Sequence, residues 1–119
     1  MKTEEVVEHY YHYVNHGQWD KWLDLFADDL EMDEQLGGHI EGIEALRKII
    51  SGMSQAFPKF KNHPKHIVVN GHEAGVVSRL EITTAKGKDI EVGVVNYFRI
   101  QHGKIAYMAN FHDTRPFAD

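Results

Sequence analysis

Apolar positions first recur at helical spacing. Val6, Val7, Tyr10, Tyr13 and Val14 share one stripe, with Thr3-Glu4-Glu5 as a start signal and Gly17 as a stop, which predicts an amphipathic helix. Trp19, Trp22, Leu23 and Phe26 stand at i, i+3, i+4 and i+7, predicting a second, short helix closed by Asp28-Asp29. The period then drops to two. Leu30, Met32 and Glu34 fall on one side and Glu31, Asp33 and Gln35 on the other, as in a short strand. Beyond a Gly37-Gly38 turn, Ile43, Leu46, Ile50, Met53 and Phe57 mark one stripe of a third helix, which Pro58 ends.

The second half reads as strands from Ile67 to Asn70, Ala74 to Thr83, Ile90 to Ile100 and Lys104 to Asp113. Turns at Asn70-Gly71, Lys86-Gly87 and His102-Gly103 join them into an antiparallel meander. Helices first and antiparallel strands afterwards predict an α+β architecture with the helices packed on one face of the sheet. With 119 residues, 42% of them hydrophobic, the chain suits a single domain over residues 1–119 with one core.

Composition narrows the function classes. The chain has no cysteine, so it has neither a disulfide framework nor a thiolate nucleophile, which fits a reducing compartment. A net charge of -5 with scattered lysines offers no basic stripe for phosphates, so no nucleic-acid partner is expected. The opening MKTEEVVEHYYHY carries acids and histidines where a signal peptide needs an apolar run, and no stretch reaches membrane-spanning length. The expectation is a cytoplasmic chain without a membrane partner.

Polar residues on apolar strand faces are the candidates for chemistry, because burying an unpaired polar group costs about 1–3 kcal/mol. Asn96 interrupts the face Ile90, Val92, Val94, Phe98, Ile100, either as a core amide bonded to backbone or as a donor aimed into a ligand cavity. Glu34 shares its face with Leu30 and Met32, and an apolar surround raises a carboxyl toward the range a general base needs at neutral pH. On the last strand Ala106, Met108, Asn110 and His112 oppose Ile105, Tyr107, Ala109 and Phe111, and periodicity alone leaves either face as core. Arg79 and Glu81 project together from one side of their strand, opposite Val76, Leu80 and Ile82, as an exposed ion pair does. His9, His12 and His16 share a helix face with Glu5 and Glu8, a solvated face. No HExxH, phosphate-cradling glycine loop or nucleophile elbow occurs, so neither a metal nor a cofactor is expected.

The segments Leu25-Phe26-Ala27-Asp28-Asp29, Gly42 to Ile49, Gly103-Lys104-Ile105 and Asn110-Phe111-His112-Asp113 resemble the nuclear-transport-factor-2-like superfamily. That is the cone-shaped fold of ketosteroid isomerases, polyketide cyclases and limonene epoxide hydrolase, a curved antiparallel sheet wrapped around N-terminal helices. Against ketosteroid isomerase, Tyr10 matches the oxyanion-hole tyrosine, Glu34 the aspartate base and Asn96 the protonated aspartic-acid donor. Against limonene epoxide hydrolase, Arg79-Leu80-Glu81 is similar to its Arg-x-Asp motif, and its second aspartate falls on Asn110. The catalytic His and Asp of the polyketide cyclases fall on Asn96 and Asn110. The resemblance implies a cone that takes a small, largely apolar molecule, cyclic or terpenoid-, steroid- or polyketide-like, and acts on it by general acid/base chemistry. The catalytic set would be Glu34, Tyr10, Asn96 and His112. Asn110, Arg79, Glu81, Met32, Met53, Phe57, Val94 and Met108 would line the ligand. The alternative is a non-catalytic ligand-binding or subunit-assembly domain of the same fold. The resemblance also implies a homodimer through the outer sheet face, where Val95 and Tyr97 lie.

Overall fold

The computed structural model describes residues 1–118; Asp119, the last residue of the expected domain, lies outside them. Helices α1 (Thr3–Asn15) and α2 (Trp19–Leu23) precede strands β1 (Phe26–Glu34) and β2 (Gly38–Glu41). Helices α3 (Ile43–Ile50) and α4 (Met53–Ala56) follow, then β3 (Lys59–Asn70), β4 (Glu73–Thr83), β5 (Asp89–Gln101), β6 (Lys104–His112) and a 3-10 turn at Arg115–Phe117. The six strands form one curved, unclosed sheet in the order β2-β1-β6-β5-β4-β3.

The α+β class and the β3 to β6 meander match the sequence reading, and four element boundaries are corrected. Phe26 leaves the second helix because β1 pairs with β6 from that residue onward, so the helix stops at Leu23 and the strand begins four residues before Leu30. That β1–β6 pairing is parallel, which makes the sheet mixed rather than purely antiparallel. The stretch after Gly37 is a strand, β2, paired with β1 through Met32↔Ile40 and Asp33↔His39. The third helix breaks at Ser51-Gly52 into α3 and α4, and β3 begins at Lys59 rather than Ile67. Between β5 and β6 the expected tight turn is present: His102 and Gly103 both take positive φ, 53° and 74°, as a two-residue hairpin turn requires.

Thr3 starts α1, but its hydroxyl donates to Gly71 O (2.8 Å) instead of capping the helix, which pins the helix start to the β3–β4 turn. At the other end, Asn15 accepts from Asn62 N (2.6 Å) and donates to Asn62 O (2.8 Å), satisfying both groups on edge strand β3. Between these ties α1 buries Val6, Val7, Tyr10, Tyr11 and Val14 against the sheet. The main core joins them to Trp22, Leu30, Met32, Phe98 and Met108. A second apolar cluster of Leu80, Ile82, Ile90, Val92 and Val94 occupies the far end of the inner sheet face, packed by Phe57, Phe60 and Phe117. Each large side chain buried in this way contributes about 1.5–3 kcal/mol.

Candidate functional site

Strand register decides which side chains meet on the inner face. One row across the sheet carries Val76, Asn96 and Asn110, and the next carries Ser78, Val94 and His112. Met32 pairs with Met108 in the parallel β1–β6 ladder, so Glu34, two residues on, comes abreast of Asn110. The Gln35 amide donates to Asn110 Oδ1 at 3.4 Å across that joint. The bulge between Arg99 and Ile100 lets Ile105 and Met108 both face inward on β6, and beyond it the expected parity puts Asn110 and His112 inside and Phe111 outside. A polar patch therefore lies between the main core and the second apolar cluster.

Glu34 ends β1 with its side chain 23% exposed. Its Oε2 accepts the amides of Leu36 (2.8 Å) and Gly37 in the turn that follows, while Oε1 faces His112 Nε2 at 3.7 Å. His112 ends β6, and its imidazole is 4% exposed. Its Nδ1 is 2.9 Å from Asp113 O. A carbonyl can only accept, so Nδ1 carries a hydrogen and Nε2 is the nitrogen turned to Glu34.

Asn96 is buried at 1% exposure, and its Nδ2 donates to the Tyr11 hydroxyl at 2.7 Å. Ser78 Oγ approaches the same hydroxyl without completing a hydrogen bond and has no other partner. Burial pushes the Tyr11 pKa far above its ordinary value, against the lowering effect of Asn96, so the phenol keeps its proton at neutral pH. Sequence reasoning missed Tyr11. It is buried on α1 beside Tyr10, and only the way α1 lies against the sheet decides which ring meets Asn96.

Tyr10 is a core ring, with centroids 5.0 Å from Phe98 and 5.5 Å from Trp22. Burial, then the neighbouring Tyr11 and, less, the Glu34 carboxylate, raise its pKa well above the usual phenol value, so it too remains protonated. Met32 and Met108 lie in the main core beneath the polar row, and Val94 in the second cluster. Phe57 packs on that cluster from the end of α4, and Met53 is half-buried on α4.

Arg79 and Glu81 do not line this face, contrary to the reading from the epoxide-hydrolase likeness. Inner positions on β4 are Ala74, Val76, Ser78, Leu80 and Ile82, and the strict period of two sends Arg79 and Glu81 to the outer face. There Arg79 pairs with Glu91 (3.4 Å), and Glu81 with Lys59 and His63 (3.2 Å each).

Two polar clusters lie outside the cone. A surface depression of about 640 Å³ over α1 and α2 is lined by Glu8, His9, His12, Tyr13, Gln18 and Lys21. The β1–β2 hairpin places His39 Nε2 3.6 Å from Glu31 and 3.3 Å from Glu41, with Nδ1 2.7 Å from Asp33. Glu31, His39 and Glu41 are donor types that a divalent ion accepts, but all three are exposed. The Asp33 hydrogen bond raises the pKa of His39, against some desolvation. This cluster is not legible in the sequence because the sequence pattern assigns His39-Ile40-Glu41 to no element.

The fold is the nuclear-transport-factor-2-like cone, shared with solved structures that show the fold alone at their low identities. A protein of that fold and unknown function from Burkholderia pseudomallei superposes with a TM-score of 0.89 at 16% identity, covering 97% of this chain and 93% of its own. A putative polyketide cyclase from Pseudomonas putida gives 0.83 at 22% identity, covering 98% and 96%. An epoxide hydrolase of the limonene-epoxide-hydrolase type from M. tuberculosis gives 0.83 at 15%, covering 94% and 83%. Residues 7–108 match the SnoaL-like domain, and the chain belongs to that family. No curated protein matches it. Among the described residues no helix is long and apolar enough to cross a membrane.

Proposed function

We propose that the cone binds a small, largely apolar cyclic molecule and performs general acid/base chemistry on it, of the isomerase, cyclase or epoxide-hydrolase type. The observation that carries this reading is the Glu34–His112 pair, set beside the apolar wall of Val94, Val92 and Leu80. With Oε2 committed to its turn, Glu34 has Oε1 free to take a proton, and His112 Nε2 stands where it can pass that proton on. Oxygen stabilisation falls to donors left over on the polar row: the Tyr11 hydroxyl hydrogen, the Asn110 amide and the second hydrogen of Asn96 Nδ2. Asn96 then acts chiefly as a positioning residue for Tyr11. Tyr10 packs on Phe98 and Trp22 in the core behind the site. The epoxide hydrolase and putative polyketide cyclase share this chain's fold, and the reading of chemistry rests on the site residues themselves. The same proposal pairs the chain with a second copy through its outer sheet face.

A second reading, a ligand-binding module without chemistry, is favoured by the two backbone donors on Glu34 Oε2, which suit a purely structural turn. Thermal shifts with cyclic ketones, terpenoid epoxides and aromatic polyketides identify what binds, and turnover of the binders separates the two readings. Glu34→Gln keeps the shape and removes the proton acceptor, so turnover is expected to fall about 10²- to 10⁴-fold while binding changes little. Ligands that bind wild type and are never turned over would leave the binding module as the function.

A further inference from the structure

The β5–β6 ladder ends at Val94↔His112, and the six residues that follow leave the sheet. Within residues 113–118 the chain is bonded to itself. Asp113 Oδ2 accepts from Arg115 Nη2 (3.0 Å) and Oδ1 from Arg115 N (3.0 Å), Pro116 sits inside the 3-10 turn, and Phe117 N and Ala118 N bond back to Thr114 O and Arg115 O (3.1 Å each). Besides the His112 Nδ1 hydrogen bond to Asp113 O at its start, it is tied among the described residues to the rest of the molecule by Lys88 and by Phe117. Lys88 Nζ, from the β4–β5 turn, donates to Pro116 O (2.7 Å) and Ala118 O (3.3 Å). The half-buried Phe117 ring packs on the second apolar cluster, its centroid 5.1 Å from that of His112.

We propose that residues 113–118 are a strap that opens and closes the cone over His112, with Lys88 as its latch and Phe117 as its plug. This rests on the assignment of His112 to the ligand site. A segment bonded within itself and held by one solvated ammonium, one ring and the local His112–Asp113 hydrogen bond swings out at far lower cost than any sheet strand, because no ladder hydrogen bond breaks. Opening uncovers the imidazole, now 4% exposed, and the apolar wall beside it in a single motion. Lys88 is placed for this work by its own turn, where Thr84 N donates to Lys88 O (2.9 Å) and Lys88 N to Thr84 Oγ1 (3.1 Å). A ligand that reaches His112 must displace Phe117 or stack against it, which makes Phe117 a selector of ligand shape.

The test reads access to His112 without any ligand. Diethyl pyrocarbonate acylates accessible neutral imidazoles, and peptide mass spectrometry assigns the rate at His112 with the exposed turn residue His102 as internal reference. In wild type His112 is expected to react several-fold more slowly than His102. Lys88→Gln and Phe117→Ala are each expected to raise the His112 rate several-fold, while Lys86→Gln in the same turn behaves as wild type. Lys88→Gln removes only a surface ammonium, so it remains informative if Phe117→Ala unfolds. Reaction of wild-type His112 as fast as His102, or an unchanged rate in Lys88→Gln, would overturn the strap. Because no turnover is measured, a working strap and a failed catalytic assignment remain distinguishable.

Discussion

At the scale of single residues, parity on a strand decides whether a charged side chain does chemistry or merely sits in water. Glu81 is the clear case. Its carboxyl is held below the ordinary range, first by the hydrogen bond from Lys59 and then by the charges of Lys59 and His63, with some opposing desolvation. A depressed folded-state pKa contributes stability that is present above the unfolded value and is lost as pH falls through the folded one. Glu81→Gln is therefore expected to lower the urea midpoint slightly at pH 7, and the gap from wild type should close as the pH drops below the carboxylate range. An equal gap at both pH values would show that the ion pair contributes nothing. The same parity made Asn96 and Glu34 visible from sequence, since each breaks an apolar face with period two. It could not assign the inner side of the last strand, because both of its faces are largely apolar and a bulge shifts the register near Ile105. Nor could helical spacing separate Tyr10 from Tyr11, which are both buried.

At the scale of elements, the local signals carried α1 and the meander, and the nonlocal pairings escaped. Phe26 fits a helix by spacing, yet it lies in a strand because Ile105, far along the chain, supplies its partner. His39-Ile40-Glu41 is too short to show a period, so β2 emerges only from its pairing with β1. The contact that seats α1 is likewise nonlocal. Asn15 acts toward Asn62 as a neighbouring strand would, answering one donor and one acceptor on the outer edge of β3. Asn15→Ala leaves both groups half-buried and unpaired, and about 1–3 kcal/mol of stability should be lost in chemical denaturation. Asn15→Asp keeps the acceptor for Asn62 N but cannot donate to Asn62 O, so it should fall between wild type and Asn15→Ala. A loss of stability too small to measure in Asn15→Ala would mean that water replaces the side chain and that α1 is held by its apolar stripe alone.

At the scale of the whole molecule, the helices and the strap cover one face of the sheet, and the other face keeps an apolar row. Val77 pairs with Val95 and Val95 with Phe111, so the three stand side by side, 44%, 48% and 54% exposed. Tyr97 and Val68 extend the patch on the same side of the sheet with Gly75 between them, and Gly93 lies two residues before Val95, opposite Arg79; both glycines leave open space above the backbone. An apolar row flanked by glycines lets a second copy of the sheet approach closely, and a two-fold axis would set Val95 against its own counterpart. Opposing this, each chain carries a net charge of -5, so two copies repel at low ionic strength and association should tighten as salt screens that repulsion. Sedimentation velocity at micromolar concentration is therefore expected to show a species of twice the chain mass that strengthens with added salt. Val95→Lys puts two ammonium groups at the centre of the interface without touching the inner face, so it should yield folded monomer with an unchanged far-ultraviolet spectrum. Wild type that sediments only as monomer, in low and high salt alike, would remove the dimer and leave the Val77–Val95–Phe111 row facing solvent.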